Sequence, residues 1–147
     1  MNKKQTQFMD ALMERKIVAL ANTNGYSNTP SEGKSAHRKE IELEIGFAGE
    51  SDYIYISRSV GLSIGELQVV ISPRLFSRKG SDLASLEGVR PAENRKSKQQ
   101  VLHSSNYRGF QNKGVNGKGE HWGFGYRILA NDGLTALANF LRHAKSQ

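Results

Sequence analysis

Apolar positions along the chain follow two periods, and the changes of period mark its elements. Phe8, Met9, Leu12, Met13 and Leu20 recur near helical spacing. They predict a first helix with Thr6 as N-cap and Gly25 at its end. Ile17-Val18-Ala19-Leu20 could equally open a strand, so that boundary stays open. Residues 22–38 hold Asn, Ser, Thr, Gly and Pro30 with few apolar side chains, and read as a flexible loop without a functional site.

Alternation follows. From Ile41 to Phe47 apolar side chains alternate with polar ones or glycine, which puts one strand face on a core and sends Glu42 and Glu44 to solvent. Asp52 to Ser57 is a second strand, joined by a hairpin-length link at Ala48 to Ser51. Glu66 to Ser72 is a third, ended by Pro73, which has no N–H for the ladder. Residues 74–100 are basic and polar, with Leu83 and Leu86 on one helical turn at most. Residues 88–120 as a whole read as a basic loop region. Trp122 to Leu129 is a further strand whose glycines allow twist or close approach. Last comes a helix capped by Asp132, with Leu134, Leu137, Ala138 and Leu141 at i, i+3, i+4 and i+7. Arg142, His143 and Lys145 suit the negative end of its dipole. Helix, strands, helix with short links predicts an α+β fold. It is an antiparallel sheet packed by an N-terminal and a C-terminal helix, in one domain spanning 1–147.

Composition narrows the chemistry. The 147 residues suffice for one core, and 37% hydrophobic with 24% charged residues is a globular balance. Cysteine is absent, which excludes disulfides and thiolate metal sites. No secretory h-region opens the chain and no apolar run approaches a membrane span. A bacterial cytoplasmic protein without a membrane contact is the expectation. Net charge is +7, and its distribution is informative. Residues 1–72 carry 8 Lys+Arg against 9 Asp+Glu; residues 73–147 carry 13 against 5. One basic face therefore follows if the halves lie apart in space.

Several motifs point to one family. Tyr53-x-Tyr55-x-x-Arg58 precedes the strand Val69-Val70-Ile71-x-Pro73. Asn106-Tyr107-x-x-Phe110 and Gly119-Glu120-His121-Trp122-Gly123 follow, then the terminal helix. Over roughly residues 50–143 the chain resembles the YgaC-like family of small uncharacterised bacterial proteins. The resemblance implies a compact α+β domain and transfers no catalytic residue. The chain departs from the pattern in a longer N-terminal part and a longer basic insert around residues 88–100.

Catalytic signatures are weak. No Gly-x-Ser-x-Gly elbow or phosphate loop is present. His37, His103, His121 and His143 are widely spaced, so His121 reads as a hydrogen-bonded structural residue more readily than as a metal ligand. Asp52 with Glu66-Leu67-Gln68 has the layout of a Mg-dependent nuclease, but Gln68 stands where lysine is expected. His103 with Asn106 or His121 is a second weak acid–base option. No catalytic residue, cofactor or metal is assigned, and the chain is not read as an enzyme.

The basic and aromatic C-terminal stretch carries the main expectation. Arg95, Lys96, Lys98, Tyr107, Arg108, Lys113, Lys118, Trp122 and Arg127 place cations among rings, the combination nucleic-acid binding uses. The competing reading turns Trp122, Phe124 and Tyr126 into the core and leaves the lysines as solubilising charge. The function expected is binding of DNA or RNA through this face. An interaction or accessory factor for an acidic protein partner is the alternative, and a Mg-dependent nuclease-like hydrolase the third reading.

Overall fold

The computed structural model of the chain describes residues 9–28, 40–47, 50–93, 98–104, 110 and 121–145. In chain order these form α1 (Ala11–Thr23), β1 (Ser27–Asn28), β2 (Glu40–Phe47), β3 (Glu50–Ser57), β4 (Glu66–Ile71), α2 (Pro73–Ala84), β5 (Val89–Pro91), β6 (Val101–Ser104), β7 (His121–Leu129) and α3 (Thr135–Lys145). The strands make one antiparallel sheet in the order β1-β2-β3-β4-β7-β5, with β6 pairing on β7 as well. Sheet and terminal helices are the α+β architecture the hydrophobic pattern predicts.

The caps explain where the helices begin. Asp10, not Thr6, caps α1, its carboxylate accepting the Met13 N–H at 2.8 Å; Thr6 lies outside the described residues. Gly25, at φ +90°, supplies the left-handed residue that ends this helix. Ile17 and Ala21 are its buried positions. Two strand residues, Ser27 and Asn28, fall within the 22–38 segment read as a loop, where they pair with Glu44 and Leu43. Residues 29–39 lie outside the described residues.

Pro73 does stop β4, but for a second reason. Ser72 accepts the Leu75 N–H at 3.1 Å, and Pro73 takes the first helical position of α2, where its missing N–H costs nothing. A full helix thus occupies the start of the basic, polar stretch in which the hydrophobic pattern places one helical turn. Gly80 in its interior, which disfavours helix by about 1 kcal/mol relative to Ala, hides it. Packing requires that glycine: a Cβ at Gly80 would sit 2.8 Å from the Phe76 ring. β5 and β6 are likewise strands inside the 88–120 region read as loop.

At the C-terminus Asn131 caps the helix, while the side chain of Asp132 lies outside what the structure describes. The Asn131 carboxamide accepts the Ala136 N–H at 3.3 Å and donates to Thr135 Oγ1 at 2.7 Å. Gly133 and Leu134 adopt positive φ between cap and helix, so Leu134 is buried but precedes α3. Leu137 and Leu141 face the core as the spacing predicts, together with Phe140.

Period two sorts the strands onto two faces. Ile41, Leu43, Ile54, Ile56, Val69 and Ile128 turn to the helices and are almost fully buried. Glu42, Glu44, Tyr53, Tyr55, Gln68 and Arg127 turn to the other face, following the β2–β3 and β4–β7 registers. A small second cluster of Tyr55, Val70 and Phe110 covers part of that open face.

Candidate nucleic-acid interface

The site is built around β7. Its even positions Phe124, Tyr126 and Ile128 point under the helices, and its odd positions Gly123, Gly125 and Arg127 point to the open face. Tyr126 is fully buried, donates its hydroxyl to Gly80 O at 3.0 Å and meets the Phe140 ring edge-on. Burial pushes its phenol up to about 12. Tyr126 is therefore a core residue. The two glycines exist for close approach: a Cβ on Gly125 would collide with Leu102, and one on Gly123 would lie 2.6 Å from the Phe110 ring.

On the side of β7 away from β4, β5 and β6 lie end to end. Val89 to Pro91 pair with Ile128 to Tyr126, and Val101 to Ser104 with Phe124 to His121. Both flank Gly125. Ala92 N–H donates to Gly125 O at 2.9 Å, and Gly125 N–H donates to Gln100 O at 3.0 Å. Gln100 Nε2 adds a bond to Gly125 O at 2.8 Å. The chain between Ala92 and Gln100 thus leaves and rejoins the sheet at one residue. A second stem lies four residues away, where His121 Nδ1 meets Phe110 O at 2.7 Å. Phe110 is 4% exposed and packs edge-on against Tyr55 at 4.9 Å, fixing this stem to the open face.

These stems bracket most of the basic positions read from the sequence. From Asn94 to Gly119 there are six cations and no carboxylate. Arg95, Lys96, Tyr107, Arg108, Lys113 and Lys118 lie outside the described residues. Lys98 is exposed, with φ +59°.

Trp122 and Arg127 fall on opposite sides of β7. Trp122 is half-buried on the helix side, 5.7 Å from Phe124 and inclined at 60° to it. Arg127, on the open side, stands directly across from Arg90, and Glu66 lies between the two guanidinium groups. Arg90 grips Glu66 through Nε at 3.1 Å and Nη2 at 2.8 Å; Arg127 approaches it at 3.6 Å. The hydrogen bond from Arg90 is the main reason the Glu66 carboxyl titrates below its ordinary range. Arg127 is thus paired with Glu66 inside the fold, while its Nε is buried without a hydrogen-bond partner among the described residues.

The remaining open face is acidic toward β2. Glu42 accepts the Tyr55 hydroxyl at 2.6 Å, and Glu44 accepts Ser51 Oγ at 2.7 Å. Tyr53 titrates above its ordinary value through desolvation first and the nearby Glu44 and Glu42 charges next. This end of the open face therefore carries negative charge.

The structure places Asp52 on β3, Glu66 on β4, His103 on β6 and His121 on β7. Asp52 turns to the helices, where it accepts Ser72 Oγ at 2.9 Å and pairs with Arg74 at 3.4 Å. Glu66 turns to the open face, so the two carboxylates lie on opposite sides of the sheet. In the ladder His103 stands opposite Trp122, not His121, and Asn106 lies outside the described residues. Among the described residues no three His, Asp or Glu side chains could hold a metal ion, and no helix is long and apolar enough to cross a membrane.

Sequence reasoning missed α2 with its outward Arg74 and Arg78, and the anchoring roles of Phe110 and Gly125. Ser72-Pro73, a cap followed by a first-turn proline, was the available signal for α2. Comparison with family models, curated proteins and solved structures finds no match.

Proposed function

We propose that this chain is a small binding protein that contacts nucleic acid through the basic stretch that the sequence places between β5 and β7. The observation that supports it is the pair of stems at Gly125 and His121, which tie an acid-free run holding six cations to a rigid strand at fixed points. Cation-bearing segments held by a scaffold can meet phosphates without ordering their stems on binding. The acidic β2 end repels the same ligand. The segment between Ala92 and Gln100 falls in the insert that sets this chain apart from the YgaC-like pattern. We therefore attach the function to this chain rather than to that family.

Gel-shift titration with single- and double-stranded DNA and RNA across a salt series tests this reading. The expected result is a complex at low salt that weakens linearly in log–log form as salt rises. Lys96→Ala and Arg108→Ala each weaken binding alike for all sequences and flatten the salt slope by about one unit. Absence of any complex at low salt overturns the proposal.

A further inference from the structure

Burial along the helix-facing side of β7 falls from one end to the other. Ile128 and Tyr126 are fully buried, Phe124 half-buried, and Trp122, nearest the strand's start, half-buried as well. Burying a large aromatic side chain is strongly favourable, so a ring left partly outside is informative about the surface. Phe124 is held firmly: it stacks face to face on Phe76 of α2, centroids 3.7 Å apart and planes within 5°. Trp122 meets Phe124 edge-on, beside that stack. Trp122 is thus a partly exposed ring resting on half-buried aromatic support.

Its charge environment suits an anionic ligand. α2 packs against β7 on this same side and carries Arg78 and Lys79 besides Arg74, which pairs with Asp52; its one carboxylate is Asp82. Exposed Lys98 belongs to the β5–β6 edge of the same strand. A partly exposed ring with cations on neighbouring elements is the arrangement that binds unpaired bases. Stacking on an aromatic side chain contributes about 1–3 kcal/mol per base and requires that the base be out of a duplex.

We propose that Trp122 is a stacking platform for one unpaired nucleobase, so that the ligand of this protein is single-stranded nucleic acid. The inference rests on the nucleic-acid reading above and narrows it. Trp122 is the single tryptophan of the chain, so its emission reports on the site directly. Oligothymidylate and a duplex of matched length are titrated at low salt against wild type, Trp122→Phe and Trp122→Ala. Expected are quenching of Trp122 emission by oligothymidylate and a loss of single-strand affinity of roughly five- to a hundredfold in Trp122→Ala. Trp122→Phe, which keeps a ring, retains most of that affinity, and duplex binding is unchanged by either variant.

Oligothymidylate binding that leaves the emission unchanged overturns the proposal. So does an equal loss for duplex and single strand in Trp122→Ala. A complex with duplex alone overturns it too, while the broader nucleic-acid reading stands. No complex with either ligand overturns both. Should Trp122→Ala fail to fold by circular dichroism, the wild-type quenching and the Trp122→Phe affinities decide the matter.

Discussion

The two faces of this sheet are made by the same strands and held by different physics. Beneath the helices, side chains such as Leu43, Ile54, Val69 and Phe140 are fully buried in one continuous apolar cluster. On the open face only Tyr55, Val70 and Phe110 form a comparable cluster, with Tyr53 and Leu102 at its margin. Elsewhere that face is held by ion pairs and tyrosine–carboxylate hydrogen bonds. Apolar burial is worth roughly 25 cal/mol per Å², whereas a partly exposed ion pair contributes about 1 kcal/mol or less. Stability therefore resides mainly under the helices, and the open face carries charge at little cost to it.

The sharpest way to break this contrast is a pair of matched truncations. Phe140→Ala, in the helix-covered core, is expected to cost about 3–5 kcal/mol in urea denaturation. Phe110→Ala should cost roughly half as much, because its cluster is small. Equal losses would make the open face a second core in energetic terms.

A smaller effect tests how the stem near His121 is seated. Gly123→Ala places a Cβ against the Phe110 ring and the Ile71 carbonyl, and should destabilise by about 1–3 kcal/mol. Gly46→Ala is the control. Nothing lies within 4 Å of its Cβ position, and its cost should stay within about 0.5 kcal/mol. If both glycines tolerate alanine equally, Phe110 is not held against the strand.

The smallest expected effect is electrostatic. Glu66 titrates below its ordinary value in the folded protein, chiefly through its hydrogen bond from Arg90. A lowered folded pKa stabilises the fold above the unfolded value of about 4.3, and that stability is lost as pH falls through the lowered one. Arg90 is 57% exposed, so solvent screening limits the contribution to about 1 kcal/mol or less. Glu66→Gln should remove this component and flatten the stability–pH profile below about pH 5. An unchanged profile would mean that the Arg90–Glu66–Arg127 group adds nothing to stability.

How much was legible can be seen residue by residue. The alternation from Ile41 to Ile45 and the spacing of Leu137 and Leu141 mark real buried faces, because period two and period 3.6 follow from backbone geometry alone. α2 was not legible in the same way. Gly80 argues against a helix locally, and what leaves no room for a side chain there is the Phe76 ring of the same helix, held in place by its stack on Phe124, which is distant in sequence. β5 and β6 were hidden for a related reason. Short edge strands carry little periodicity, and theirs becomes visible only once β7 is present to pair with them. As for the candidate site, the cations and rings were legible as types, but not the face each would occupy.

The sequence by itself determined the α+β class, the alternation of β2, β3 and β7, and the concentration of positive charge after residue 72. These depend on composition and on periods set within a few residues. Only the tertiary structure decided that Trp122 and Arg127 part to opposite sides of one strand, that Glu66 engages Arg127, and that the basic stretch is tied down at Gly125 and at the Phe110–His121 contact. Those outcomes depend on which strand lies beside which. Strand pairing joins residues far apart in the chain, and no local pattern encodes it.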